Sequence, residues 1–317
     1  MAEKKYFNDY YLKHNPLLTQ RLGWLAIGLY CLATAVSSVW VNYSFSTFNS
    51  EALIFFTVLV AQLSFFTLFC LKQGNFTFFI ITNFKSVAIL NVLTLFCWLF
   101  MFMALQKIEA SVESAIYQGW IPIIVIVVEY LIHKGLPKKS LIISVLFLAF
   151  FLGLLGYTRV YFDGGINDSL IQGVIYASIA GVTAALYMVY SEFIFYKRGF
   201  TVLNILASRF IMLLIYIFFS SHDSIRILYE SEFTILVNMA ILSLTFIVVP
   251  IYLLQYSIVT LGSGRVSIIT PLVPSVALGL EYFYLSWDNY FVPILVILVC
   301  ISVLFANYYK SKKTVRE

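Results

Sequence analysis

Charge is what this sequence has least of. Lys, Arg, Asp and Glu together make up 11% of its 317 residues, against about 25% in soluble domains. A chain of this length could bury a large core, but so few charges cannot cover the outside of one in water. The surrounding solvent is therefore lipid. Histidine is scarcer still: His14, His133 and His222 are the three, all in tails or loops. HExxH, GxSxG and paired intramembrane aspartates are missing, which argues against a metal- or serine-dependent hydrolase. No catalytic residue, metal site or cofactor is expected. The four cysteines, Cys31, Cys70, Cys97 and Cys300, fall inside apolar runs without metal-ligand or disulfide spacing. They read as small apolar helix residues. A cleavable signal peptide is not evident, because a polar stretch of about 20 residues precedes the first apolar run.

What the sequence has instead is apolar length. Hydrophobic residues make up 62% and aromatics 18%, and the mean hydropathy is +0.93. Phe suits lipid-facing positions, while Tyr and Trp suit the headgroup interface. A membrane helix needs about 20 mostly apolar residues. Ten stretches qualify: Leu22–Phe45, Ala52–Leu71, Ser86–Leu105, Ala110–Ile132, Leu141–Tyr157, Leu170–Phe195, Val202–Ser220, Phe233–Ser257, Val266–Leu285 and Tyr290–Tyr309. The fold class expected is an all-α integral membrane protein of ten transmembrane helices. Residues 1–21 and 310–317 are left as tails, and the short connections leave no room for a separate soluble domain.

The basic residues orient the spans. With the N-terminus in the cytoplasm, the inner side carries Lys4, Lys5, Lys13, Arg21, Lys72, Lys85, Lys134, Lys138, Lys139, Lys197, Arg198, Lys310, Lys312, Lys313 and Arg316. The outer side carries only Lys107, Arg159 and Arg226. That asymmetry places both termini in the cytoplasm and requires an even number of spans. Because the positive charge is spread over tails and loops in this way, it does not argue for nucleic acid.

The fourth and ninth spans resemble each other without a gap. Ser111 and Ser263, Pro122 and Pro274, Glu129 and Glu281, and Tyr130 and Tyr282 all stand 152 residues apart. An offset of 150 brings Gly23 onto Gly173 and Ala35 onto Ala185 in the first and sixth spans. Pro and Glu are rare within spans, so the match is informative. The two repeats run over 22–157 and 170–309. Five spans is an odd number, so the second copy enters the membrane from the opposite side. Such inverted repeats characterise secondary transporters, in which rocking one half against the other opens a mid-depth cavity to each side in turn.

These features resemble the drug/metabolite transporter superfamily, EamA type. In each of that family's two five-span repeats the fourth helix follows a small-residue stretch, carries a mid-span Pro and ends in an acidic residue. Here those features are ASVES, Pro122 and Glu129, then GSGRVS, Pro274 and Glu281. The resemblance covers roughly Leu22 to Tyr309. One departure is that the second span lacks the Arg often found there, whereas Arg209 occupies the related place in the seventh. The resemblance implies a secondary transporter that exports a small organic metabolite across the cell (inner) membrane. Import or exchange is the alternative within the superfamily. A non-transporting membrane receptor or enzyme is the alternative outside it.

Within the spans, ionisable groups are costly and usually face a wet or protein-lined interior. Glu113 lies about 6 Å below the outer end of the fourth span by helical rise. It is a candidate for substrate binding or for carrying protons as the coupling ion; the bland reading is a carboxylate that reaches the outer headgroups. On the same helix Glu109, Glu113, Tyr117 and Trp120 step by 4, 4 and 3 and so share a face. Arg265, a further candidate for substrate binding whose bland reading is positive-inside anchoring, is the repeat partner of Glu113, but the inverted topology is expected to keep the two apart. Arg209 is the deepest basic residue; it either pairs within the bundle, with Glu192 the candidate, or snorkels inward, and the expectation is a structural ion pair, with contact to an anionic substrate group as the alternative. Trp98, Tyr187, Tyr190 and Tyr256, with Tyr117 and Trp120, are candidates for an aromatic-walled site, and Trp40 and Tyr252 are weaker ones. Pro122, Pro271 and Pro274 free backbone carbonyls. Ala177, Gly181 and Ala185 form a small-residue stripe for close helix packing. Glu129 and Glu281 are taken as structural. A homodimer is compatible with the sequence, and the charges leave open whether the substrate is cationic, zwitterionic or anionic.

Overall fold

The computed structural model describes residues 16–46, 48–73, 75–133, 139–161, 168–220, 222–270, 272–283 and 290–314. Among them the secondary structure is helical throughout, without a strand. The chain runs through α1 (Pro16–Ser44), α2 (Ser50–Gln73), α3 (Phe76–Thr82), α4 (Phe84–Leu105), α5 (Ala110–His133), α6 (Lys139–Tyr161) and α7 (Asp168–Arg198). It continues through α8 (Val202–Ser208), α9 (Ile211–Ser220), α10 (His222–Glu230), α11 (Phe233–Leu242), a π-helical stretch (Ser243–Val248), α12 (Val249–Leu261), α13 (Ser263–Ile269), α14 (Leu272–Glu281) and α15 (Phe291–Thr314). Helices dominate because lipid offers the backbone no hydrogen bonds, so each segment must satisfy its own.

Seven of the described helices are long and apolar enough to cross a bilayer: Leu18–Ser44, Ser50–Lys72, Phe84–Leu105, Ala110–Val128, Asp168–Arg198, Val202–Ser220 and Phe233–Leu261. Ile142–Thr158 and Phe291–Phe305 are shorter apolar helices. The distribution of side chains fits a multi-pass membrane protein. Phe150 and Leu131 are 62% and 67% exposed, while Gln62, Asn91, Glu113 and Arg209 are buried. A soluble monomer rarely exposes apolar surface so widely.

The central helices are α1, α4, α5, α7, α12 and α14. α7 packs along α4 and α5, and α1 packs along α12 and α14. α5 meets α14, α6 meets α15, and α2 meets α8 and the π-helical stretch. At the α5–α7 crossing a Cβ on Gly181 would lie 2.6 Å from the Tyr117 carbonyl oxygen and 3.0 Å from the Trp120 Cβ. Only glycine permits that approach, and Ala177 and Ala185 beside it are fully buried. Gly199 and Gly262, with φ of 67° and 85°, end α7 and α12. Other residues avoid that conformation.

Several segments differ from the sequence expectation. The seventh span is interrupted between Ser208 and Ile211, and the ninth between Ile269 and Leu272. α3 and α10 are short helices inside stretches expected to be connections. The tails 1–15 and 315–317 lie outside the described residues, as does Pro271. Pro122 does not interrupt α5, which is continuous around it. Pro274 sits in the first turn of α14, where a missing N–H costs nothing.

Candidate functional site

Three irregular helices meet around one cavity. The first irregularity is the break between α8 and α9, which holds Arg209. Breaking a helix inside an apolar bundle leaves backbone groups without partners, and two buried amides take them up. Asn91 on α4 donates to the Ser208 carbonyl (2.5 Å) and accepts from the Met212 N–H (2.9 Å). Gln62 on α2 donates to the Ala207 carbonyl (2.5 Å). The second irregularity is the π-helical stretch, which carries Phe246 and is anchored where Ser243 Oγ donates to the Thr57 carbonyl (2.6 Å). The third is the break after α13, at Thr270.

The cavity has a volume of about 50 Å³, room for a few water molecules. α1 contributes Tyr30, Thr34 and Ser38, spaced one turn apart, and α4 contributes Cys97, Trp98 and Met101. α5 presents Glu113, Ser114, Tyr117, Gln118 and Ile121, and α7 presents Ala184, Tyr187 and Met188. Arg209, Phe246, Ile251, Leu254, Thr270 and Val273 complete the wall. Of the nine expected substrate-binding residues, five therefore converge: Trp98, Glu113, Tyr117, Tyr187 and Arg209.

The charged groups here are buried and incompletely partnered. Glu113 is 3% exposed and Arg209 4%. One Glu113 oxygen, Oε2, accepts from Ser114 Oγ at 3.3 Å. The other, Oε1, has no partner, and neither do Arg209 Nε, Gln118 Oε1 and Thr34 Oγ1. The Arg209 guanidinium lies 4.1 Å from the Tyr187 ring centre and 4.9 Å from that of Phe210. The Tyr187 hydroxyl donates to Gln255 Oε1 (3.0 Å), which fixes the ring beneath the cation. Buried polar groups are normally satisfied, so four unpartnered polar atoms on one wall mark a place made for polar contents.

The remaining expectations are redistributed. The ion pair of Arg209 with Glu192 does not form. Glu192 Oε2 instead accepts the Ser263 N–H at the start of α13 (3.0 Å), where a carboxylate meets the positive end of a helix. Arg209 stacks on Tyr187 because the α8–α9 break holds it on the cavity side. The stripe on α5 also divides. α7 crosses α5 at Tyr117 and Trp120, and Trp120 lines a separate apolar groove with Leu152, Val174 and Ser178. Glu109 precedes α5 and does not line the cavity. Tyr190, Tyr256, Arg265, Trp40 and Tyr252 do not line it either: Tyr190 stacks on Phe193 with ring centres 6.2 Å apart, and Arg265 is exposed. Arg265 and Glu113 are thus in different surroundings. Glu281 is fully buried and accepts the Ser111 N–H at the head of α5 (3.2 Å). Its counterpart Glu129 lies in α5, its side chain outside the described residues. Sequence reasoning passed over Gln62, Asn91, Thr34 and Gln118; their one signal was an amide or hydroxyl inside an apolar span.

No family model matches the chain, and no curated protein matches it. Solved structures do. A chain from the crystal structure of a protein 14% identical to this one superposes with a TM-score of 0.53, covering 92% of this chain and 96% of its own. At that identity the likeness shows the fold alone.

Proposed function

We propose that the protein is a secondary transporter that moves a small organic metabolite across the cell membrane by alternating access. In this reading it works in the manner of the EamA-type transporters it resembles, with export as the direction that resemblance favours. The observation that carries the proposal is the central cavity. Five expected residues, three helix irregularities and four unpartnered polar atoms meet there, and transporters bind their substrates at discontinuous helices near mid-depth.

The packing supports ten spans in two inverted five-helix repeats. In this counting α8–α9 form the seventh span, α11–α12 the eighth and α13–α14 the ninth. The third span packs on the sixth (α4, α7), as the eighth packs on the first (α12, α1). The fourth packs on the sixth (α5, α7), as the ninth packs on the first (α14, α1). The fourth and ninth, fifth and tenth, and second and seventh meet their own counterparts. Exchanging the halves maps each of these contacts onto another or onto itself. The glycines agree: Gly23 abuts Thr260 and Leu261, and Gly173 abuts Lys107 and Ile108. The basic asymmetry supports cytoplasmic termini, and Glu113 is the candidate carrier of a coupling proton.

Reconstitution tests the reading. Vesicles loaded with a cellular extract of small metabolites should release a defined subset faster with the protein than without it. Tyr187→Ala at matched protein level should abolish the difference. Identical release from loaded vesicles with and without protein would overturn the proposal.

A further inference from the structure

One end of the bundle gathers positive charge with no acid to neutralise it. Residues 52–108 and 193–222 contain neither Asp nor Glu, yet Lys72, Lys85, Lys197 and Arg198 lie exposed within them. The structure brings these residues together around α3. Phe69, one turn before Lys72 on α2, has its ring centre 5.6 Å from that of Phe79 on α3, and the Phe79 ring lies 5.2 Å from that of Phe200. Phe200 follows Lys197 and Arg198 in the turn between α7 and α8. Arg198 donates to Ser86 Oγ, next to Lys85 at the head of α4. Glu192, the last acid of α7, is engaged with the Ser263 N–H. Among the described residues Lys72, Lys85 and Lys197 form no ion pair.

α3 puts an apolar face beside that charge. Its seven residues rise about 10 Å, too little to cross a bilayer. Asn75 Oδ1 accepts the Phe78 N–H (3.1 Å) at its start, and Asn83 Nδ2 donates to the Phe79 carbonyl (3.0 Å) at its end. Phe76 and Phe79 face inward onto Phe66 and Phe69. Phe78 and Ile81, with Phe84 just beyond, are 67%, 69% and 67% exposed. A short helix with an outward apolar face, flanked by lysines, has the pattern of a segment at the headgroup boundary.

We infer that this corner, formed by α3, the head of α4 and the α7–α8 turn, binds an anionic phospholipid. Its phosphate is held by Lys85, Lys197 and Arg198 with Lys72 at the rim, and its acyl chains lie over Phe78, Ile81 and Phe84. Charge and apolar surface together choose the occupant. A free phosphate would leave the aromatic face uncovered. A zwitterionic headgroup would bring a cation of its own into a region without an acid. Basic groups at a membrane surface favour anionic lipid, and the Arg198 fork suits a pair of phosphate oxygens. The corner also bears on the helix break at Arg209. α8 spans the residues between the α7–α8 turn and that break, and Asn91 on α4 holds the break from the far side. A lipid bridging α4 and the turn therefore braces α8 from its other end. The proposal does not depend on transport.

Purified full-length protein, stripped of lipid in detergent, is titrated with phosphatidylglycerol and with phosphatidylcholine of the same acyl chains. Retained lipid is counted by native mass spectrometry, and stability is read as Tm. Phosphatidylglycerol should bind about tenfold or more tightly than phosphatidylcholine and should raise Tm further. Lys85→Gln combined with Lys197→Gln should erase most of that preference while leaving phosphatidylcholine binding unchanged. Both side chains are exposed, so folding should survive, and the wild-type comparison of the two lipids stands in any case. Arg21→Gln removes a basic residue expected on the same side of the membrane, from α1, which packs along α12 and α14; it should keep the preference. Equal binding of the two lipids would overturn the inference. So would an equal loss of preference in Arg21→Gln, the mark of diffuse attraction to basic charge. Glycerol phosphate carries the phosphate without acyl chains. If it raised Tm as much as phosphatidylglycerol at equal concentration, the occupant would be a free phosphate and the lipid assignment would fall.

Discussion

Glu113 and Glu109 are one helical turn apart, but they differ in what surrounds them. Glu113 is buried on the cavity wall, whereas Glu109 is half-buried ahead of α5. Glu113→Gln keeps the shape and removes the charge, so it should reduce flux at least tenfold while Glu109→Gln stays near wild type. Flux in vesicles across about pH 5.5–8, at matched protein levels, checks this. If Glu113 carries the coupling proton, the variant should also lose the pH dependence of flux. Normal transport by Glu113→Gln would reduce the residue to a buried bystander. These two acids also show how far a single residue can be read from sequence. The depth of Glu113 follows from its place in an apolar run, and so does that of Arg209. Their partners do not follow. Glu192 looked like the counterion of Arg209, but the head of α13 reaches it through Ser263. Helical spacing says which residues of one helix share a face. It does not say where a second helix crosses that face, and the approach of α7 at Gly181 is what parts Trp120 from Tyr117.

Among the elements, the interrupted α8–α9 is the one most dependent on its neighbours. Its freed backbone groups are satisfied by Asn91 and Gln62 from other helices. Asn91→Ala strands one carbonyl and one N–H, and should destabilise the protein by about 2–6 kcal/mol at 1–3 per buried group. Thermal unfolding in detergent measures it; a loss below about 0.5 kcal/mol, within the range of an ordinary surface substitution, would show that the break has other support. A second test concerns helix crossing. Gly181→Ala places a methyl against the Tyr117 backbone and should lower folded yield and Tm sharply. Gly153→Ala, with nothing within 4 Å, should be neutral. Equal behaviour of the two would contradict the close α5–α7 approach. The apolar stretches were legible in the sequence because lipid demands length and hydrophobicity. Neither break was. Arg209–Phe210 sits in a run that reads as one continuous span, and the amides that stabilise the gap come from helices far away in the chain. Pro122, which reads as a breaker, leaves α5 whole.

For the molecule as a whole, the proposed repeat rests on the sequence match at Pro122 and Pro274 and on the pairing of helices in the two halves. If the halves are inverted, a cysteine placed between Tyr43 and Glu51 should react with an impermeant thiol reagent from outside the cell. One placed between Pro137 and Ser140 should react only from inside; the reverse pattern would contradict the orientation. The most direct test is whether the central cavity faces each side of the membrane in turn, and the chain carries its own reporter, since Cys97 lines that cavity. With Cys31, Cys70 and Cys300 replaced, Cys97 is the sole thiol, and Ser38→Cys in a cysteine-free background gives a second reporter on the opposite helix. Impermeant reagents are applied to right-side-out and inside-out vesicles. Alternating access predicts modification from both faces without leakage of the reagent through the protein, and protection by a bound ligand. Modification of both reporters from one face only, or of neither from any face, would contradict it.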